Sequence, residues 1–214
     1  MAKAAASAGR DPSGIQLIAI AKGVDPTRIA QARVAGANRI GESRVQEAEA
    51  KRPRMPDGVE WHMVGRLQSN KARRAVQLFD CIQSVDSEKL LRRLDRCCQE
   101  LGVRRRVLIQ VNCSGEASKG GIAPNELESL MEASQEAAHL DAVGLMTIGP
   151  LGGSLLEIQR SFASLRELAH NSAYARQLRH LSMGMTGDFE QAVAEGATMV
   201  RIGTGIFGTR EAER

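Results

Sequence analysis

Eight apolar stretches of strand length alternate along this chain with segments of helical period, and the alternation never switches to hairpin turn chemistry. Strands separated by helices return in parallel, and each crossover helix then covers one face of the sheet. The stretches lie at residues 15–21, 38–42, 60–65, 80–85, 106–112, 142–148, 180–184 and 198–203. Eight is the number of units at which such a sheet closes on itself, so the expected fold is α/β, a single (β/α)8 TIM barrel.

The helical segments between the strands read as covers for that barrel. In SEKLLRRLDRCCQELG, the side chains of Leu90, Leu91, Leu94, Cys97, Cys98 and Leu101 form one stripe between a Ser87 cap and a Gly102 stop, which turns the adjacent cysteines toward the sheet. QSNKARRAVQLF repeats the pattern with Ala72, Ala75, Val76 and Phe79, and DFEQAVAEG with Phe189, Ala192 and Val193 between Asp188 and Gly196. LGGS at residues 151–154 reads as a flexible loop, and no fixed-period repeat or linker divides the chain. At 214 residues, one domain over 1–214 is expected.

Composition narrows the partners. With 43% hydrophobic and 25% charged residues the chain reads as soluble and globular, and aromatics at 3% leave Leu, Ile, Val, Ala and Met to build the core. No apolar run approaches the roughly 20 residues that span a bilayer, and the opening MAKAAASAGRDPSG lacks a secretory apolar segment. A cytoplasmic location without a membrane partner is expected. Cys81, Cys97, Cys98 and Cys113 show no paired C-x-x-C spacing and read as reduced core thiols, with no metal site. The net charge of +4 is modest, and the basic clusters at residues 71–74 and 104–106 have no interleaved aromatics, so no nucleic-acid partner is expected.

Barrel chemistry sits at the C-terminal ends of the strands, and several of these ends are polar: Lys22, Glu42 with Ser43, Ser84, Asn112, Thr147, Ser182 and Arg201. Lys22 follows IAIA directly, so its amine would emerge from an apolar wall into the mouth. Desolvation disfavours the ammonium there and frees the amine to attack a carbonyl, which makes Lys22 a Schiff-base candidate. The alternative is a strand-terminal lysine that reaches solvent or pairs with Glu42. The last two strands bracket the usual phosphate position of such barrels, and supply Ser182, Gly184 and Thr186 on one side and Gly203 and Thr204 on the other. VRIGTGIFG adds Arg201 as a fixed cation before a glycine-rich turn. The other reading of LSMGMTGD is a turn ending in an Asp188 helix cap, with Ser182 bonded to backbone. His62, inside the third strand, reads as structural, QSNK as a helix start capped by Ser69, and Lys71 is left without a role.

A strand-one lysine opposite a phosphate site suggests pyridoxal 5′-phosphate, whose aldehyde and phosphate lie at opposite ends of one ring. The segments LIAIAK, IGESRVQEAEAK, WHMVGRLQSNKAR, NCSGEASKGGI, GLMTIGP and LSMGMTGDFEQAVAEGATMVRIGTGIFGTR follow one another in the order seen in the pyridoxal phosphate homeostasis proteins, and the chain resembles that family from about Ala8 to Arg210. The resemblance implies the barrel of the alanine racemase N-terminal domain. It implies that Lys22 carries pyridoxal phosphate as a Schiff base, that Arg201 faces the pyridine nitrogen, and that Ser182, Gly203 and Thr204 hold the phosphate. Ser43 stands where the family usually has asparagine, so a ring contact from that amide is weakened or lost. Family members usually carry a longer helix before the first strand, and this chain begins inside it; the barrel base is therefore expected to be less completely covered.

The resemblance also bears on activity. Alanine racemase adds a β domain whose catalytic tyrosine comes from the partner subunit, whereas the only tyrosine here, Tyr174, falls between a helix and the seventh strand. A cation beside the pyridine nitrogen opposes its protonation and weakens the ring as an electron sink. A non-catalytic carrier that buffers or delivers the cofactor is expected, monomeric, with transient contact to apoenzymes that use it. A weak racemase or aminotransferase is the alternative, and a Schiff-base aldolase or phosphosugar enzyme a more distant one.

Overall fold

The computed structural model describes residues 1–209; Arg210, where the resemblance ends, lies outside them. Its strands are β1 (Gln16–Ile20), β2 (Arg39–Glu42), β3 (Glu60–Met63), β4 (Cys81–Val85), β5 (Arg105–Gln110), β6 (Leu140–Met146), β7 (His180–Ser182) and β8 (Met199–Ile202). They form a closed parallel barrel in sequence order, sealed where Ile18 of β1 stands opposite Arg201 of β8. Around it run α1 (Ala2–Ser7), α2 (Pro26–Val34), α3 (Val45–Lys51), α4 (Ala72–Leu78), α5 (Glu88–Leu101), α6 (Leu127–Gln135), α7 (Leu155–Asn171), α8 (Phe189–Ala194) and α9 (Thr204–Phe207). The expected (β/α)8 barrel is the observed fold.

All eight stretches become strands, but most are shorter than their apolar runs because their last residues leave the ladder for the mouth. Gly65 shows the cause: a Cβ there would lie 2.3 Å from the Ser43 carbonyl oxygen, so the chain after β3 passes the β2 loop only because it has no side chain. The two-residue period of the strands sorts side chains into two layers. Ala19, Ile40, Trp61, Ile82, Val107 and Val200 pack outward under helical residues such as Leu90, Leu94, Phe162 and Val193. Ile18, Cys81, Leu108, Val143, Met146 and Met199 form a separate inner cluster.

Helix ends follow the sequence reading in part. Ser87 Oγ accepts from the Leu90 amide at 3.3 Å, and Gly102 closes α5 in the left-handed region at φ 64°. Ser69 is no cap; it opens a single 3-10 turn, Ser69–Lys71, that runs into α4. Asp188 stands at the start of α8, yet its Oδ1 accepts from the Met185 amide at 2.5 Å and closes the turn behind it. The LGGS segment ends in a reciprocal capping box between Ser154 and Glu157 that starts α7. The sequence also hides an exposed apolar group: Leu151, Leu155 and Leu156, at this corner of the mouth, are 85%, 64% and 54% exposed. Among the described residues no helix is long and apolar enough to cross a membrane, and no cluster of metal-ligating side chains occurs.

Cys81, Cys97 and Cys98 are buried and Cys113 half-buried, all as free thiols. Burial pushes the Cys81 thiol up to about 12 and the Cys98 thiol up to about 11. Since the thiolate is the reactive form, a disulfide-exchange reagent at pH 8 should modify Cys113 first in the native protein and the other three only upon unfolding. Fast modification of Cys97 or Cys98 in folded protein would contradict the packing of α5 on the sheet.

Candidate functional site

Lys22 follows β1 in a tight turn in which the Val24 amide donates to the Ala21 carbonyl at 2.9 Å. Its side chain is half-buried. Glu42 pairs not with Lys22 but with Lys51 of α3, at 2.7 Å from Nζ to Oε1. The same Nζ donates to the Ala21 carbonyl at 2.7 Å and to Glu47 Oε2 at 3.1 Å, while Glu47 Oε2 accepts from the Gly23 amide at 2.7 Å. The backbone on both sides of Lys22 is therefore clamped by one buried ion cluster, and among the described residues no carboxylate pairs with the Lys22 amine. Burial raises the Glu42 carboxyl above its ordinary value, and the Lys51 bond and charge oppose that rise. This clamp was not foreseen; its signal was the ESRVQEAEAK segment, where Glu47 and Lys51 fall on one helix face at i,i+4.

Arg201 projects into the barrel rather than out of the mouth and is only 4% exposed. Nη1 donates to Ser182 Oγ at 2.8 Å and Nη2 to the Thr147 carbonyl at 2.7 Å. Burial brings the guanidinium down to about 10, against the pull of Asp188, so it stays cationic at neutral pH. No carboxylate among the described residues pairs with it. The chain of bonds continues inward: Ser182 Oγ donates to Gln83 Oε1 at 2.7 Å, and the Gln83 amide nitrogen lies 2.9 Å from His62 Nδ1. With Gln83 donating, the His62 ring proton sits on Nε2, which lies 2.8 Å from Glu60 Oε1 but off the ring N–H direction. Glu60 in turn takes Arg106 Nη2 at 2.6 Å and Arg39 Nε at 3.0 Å.

The end of β7 and the end of β8 meet at the glycine-rich turns. Gly184 has φ 89°, and a Cβ there would come within 2.5 Å of Ala192 Cβ, so both conformation and space demand glycine. Its carbonyl accepts from the Arg201 amide at 2.9 Å, tying the β7 loop to β8. Gly203 precedes α9, whose first amides, on Thr204 and Gly205, have no intrahelical acceptors. Thr186 Oγ1 approaches the Gly205 amide at 3.4 Å, which brings the two turns together as the sequence reading anticipated. Ser182 differs from them: it is fully buried, and its hydroxyl bonds Gln83 and Arg201 rather than the backbone.

Other polar strand ends do structural work. Asn112 folds its own loop, with Nδ2 on the Glu116 carbonyl at 2.9 Å and Oδ1 taking Ser114 Oγ at 3.1 Å. Thr147 Oγ1 donates to the Val111 carbonyl at 2.8 Å. His62 is the buried, barrel-lining group that was expected, and Tyr174 lies in the turn before β7, at the barrel base.

The alanine racemase N-terminal domain family matches residues 18–211. A pyridoxal phosphate homeostasis protein of Pseudomonas aeruginosa is 40% identical over 98% of this chain and 90% of its own length, and one of Escherichia coli is 41% identical over 97% and 91%. The chain belongs to the pyridoxal phosphate homeostasis protein family. Among solved structures, PipY of Synechococcus elongatus with pyridoxal phosphate bound is similar at a TM-score of 0.84 and 41% identity, with 97% of this chain and 99% of that one covered. An alanine racemase of Clostridium difficile shares the fold alone, at a TM-score of 0.77 and 12% identity over 55% of its length. The family resemblance drawn from the motifs is thus the family found.

The deep end of the interior chain has a pH signature. Burial works against ionisation of Glu60, but its close contact with the His62 ring and the hydrogen bond and charge of Arg106 prevail and hold its carboxyl at about 2, below the ordinary 4.5. A carboxylate depressed in the folded state stabilises it fully above the unfolded value and loses that contribution as pH falls toward the folded one. Glu60→Gln should therefore melt below wild type at pH 6, and the gap should shrink steadily between pH 4.5 and 2. A gap independent of pH across that window would show that Glu60 is not ionised in the fold.

Proposed function

We propose that this chain binds pyridoxal 5′-phosphate in the barrel mouth, anchored to Lys22 as a Schiff base, and buffers or delivers that cofactor in the cell rather than turning over a substrate. The observation that carries the reading is a pair of nitrogen groups that no carboxylate among the described residues matches: a half-buried lysine on a clamped turn, and a buried arginine bonded to neutral oxygens. Such a cation is costly unless an acceptor with a lone pair faces it, and a pyridine nitrogen is one. Bound pyridoxal phosphate supplies an aldehyde that condenses with amines and a ring that accepts electrons.

Each residue then has one task. Lys22 provides the amine, and the Lys51 cluster keeps its turn from drifting. Arg201 faces the ring nitrogen as a permanent donor, so the nitrogen stays unprotonated and the ring withdraws electrons weakly. Gly184, Thr186, Gly203 and Thr204 cradle the phosphate with hydroxyls and amides, and Ser182 serves by holding Arg201. PipY, at 41% identity, supports the cofactor's identity, and relatives named for homeostasis support a role without turnover. Tyr174, at the base, lies too far from the mouth to exchange protons there.

Borohydride reduction followed by peptide mass spectrometry should place the label on Lys22, and Lys22→Ala should abolish both label and the absorbance of the bound cofactor. A label on another lysine overturns the anchor. Thr204→Val should weaken cofactor binding about tenfold, the worth of one hydrogen bond to a charged group, and leave the Lys22 label intact at saturation. Sustained production of D-alanine from L-alanine by the pure protein would overturn the carrier reading in favour of a racemase.

A further inference from the structure

The base of the barrel holds a second concavity that the mouth chemistry does not use. It is a cavity of about 870 Å³ at the N-terminal ends of β5, β6 and β7, walled by the turn between α7 and β7. Arg104, Arg106, Arg176 and Arg179 line it, against the single carboxylate of Asp141. Arg104 already neutralises Asp141 at 2.6 Å, and Arg106 is engaged by Glu60 at 2.6 Å. Arg176 and Arg179 are exposed and pair with no carboxylate among the described residues.

The surplus of positive charge is felt by its neighbours. At the start of β7, burial first, then the charges of Arg106 and Arg179, hold the His180 imidazole below its ordinary value, and its Nδ1 is buried without a partner. Ala137, Ala138, Leu140, Ala142 and Val143 add apolar side chains to the lining. Guanidinium forks match phosphate oxygens in pairs, and small-molecule sites occupy roughly 300–1,000 Å³.

We propose that this basal groove binds an oligophosphate anion of nucleoside triphosphate size, with Arg176 and Arg179 as its principal clamps. The site is independent of the mouth and stands whether or not pyridoxal phosphate is held on Lys22. Nothing in the groove supplies stacking faces along an extended track, which disfavours single-stranded nucleic acid.

Calorimetric titration of the full chain with inorganic tripolyphosphate and with ATP, in the presence of saturating pyridoxal phosphate, tests it. One equivalent of anion should bind, more weakly as salt rises. The double variant Arg176→Ala/Arg179→Ala should lose at least tenfold in affinity with an unchanged melting temperature, while Arg73→Ala, outside the groove, should bind as wild type. Tighter binding of ATP would assign part of the groove to the nucleoside, and equal binding would assign the site to the phosphate chain alone. Undiminished binding by the double variant, or absence of saturable binding, overturns the proposal. So does binding only of an oligothymidylate, with affinity that grows with its length.

Discussion

A cation inside a barrel has to be held by something, and here the rest of the interior is arranged around holding Arg201. Its two amino groups each donate one bond, to Ser182 Oγ and to the Thr147 carbonyl, but a hydroxyl so used must itself be fixed, which Gln83 does from the other side. Gln83 is oriented by His62, and His62 sits beside Glu60, which is bracketed by Arg39 and Arg106. The links come from β8, β7, β4 and β3, so the chain exists only if the sheet has closed. A one-residue slip of any of these strands would turn its member outward. Polar networks of this kind specify one arrangement when every member is satisfied and destabilise when one is missing.

The mouth depends on a different device. Lys22 itself has no hold on the fold; its position comes from Lys51, which sits between Glu42, Glu47 and the Ala21 carbonyl. Since Lys51 belongs to α3 and Glu42 to the end of β2, the first βα unit is locked onto the turn that follows β1. The turn that carries Lys22, the proposed anchor, is thus held by a second lysine spent on structure. The two are not exchangeable, because the Lys51 charge is already compensated by two carboxylates.

The barrel was legible because its signal is one-dimensional: eight apolar runs and the stripes of α4, α5 and α8 can be counted along the chain. The glycine-rich turns after β7 and β8 were legible for the same reason, since a turn is local. The interior chain was not, because Gln83 and Glu60 acquire meaning only when β4 and β3 are set beside β7 and β5, and register across a barrel is not written in any one segment. A polar residue inside an apolar strand such as CIQSV was nevertheless a hint, as a buried amide must find partners. Leu155 and Leu156 carry no such hint: they occupy the exposed first turn of α7, whose later residues Phe162 and Leu165 are the buried ones.

The position of Arg201 also bears on the proposal that the barrel holds a cofactor without turnover. An enzyme that removes a proton next to a bound amine gains from a protonated ring nitrogen, because the positive ring absorbs the electrons released. A guanidinium held near 10 by burial, and fixed at both ends by neutral oxygens, will not surrender a proton to a pyridine at neutral pH. On the proposed reading the arrangement would favour grip over reactivity: a hydrogen bond from Arg201 to the ring, the Lys22 amine on its clamped turn, and glycine-rich turns whose Thr186 and Thr204 are exposed to water. A mouth of that kind, with a weak electron sink, would be poor for carbanion chemistry and suited to the exchange proposed above, since a Schiff base is a reversible bond.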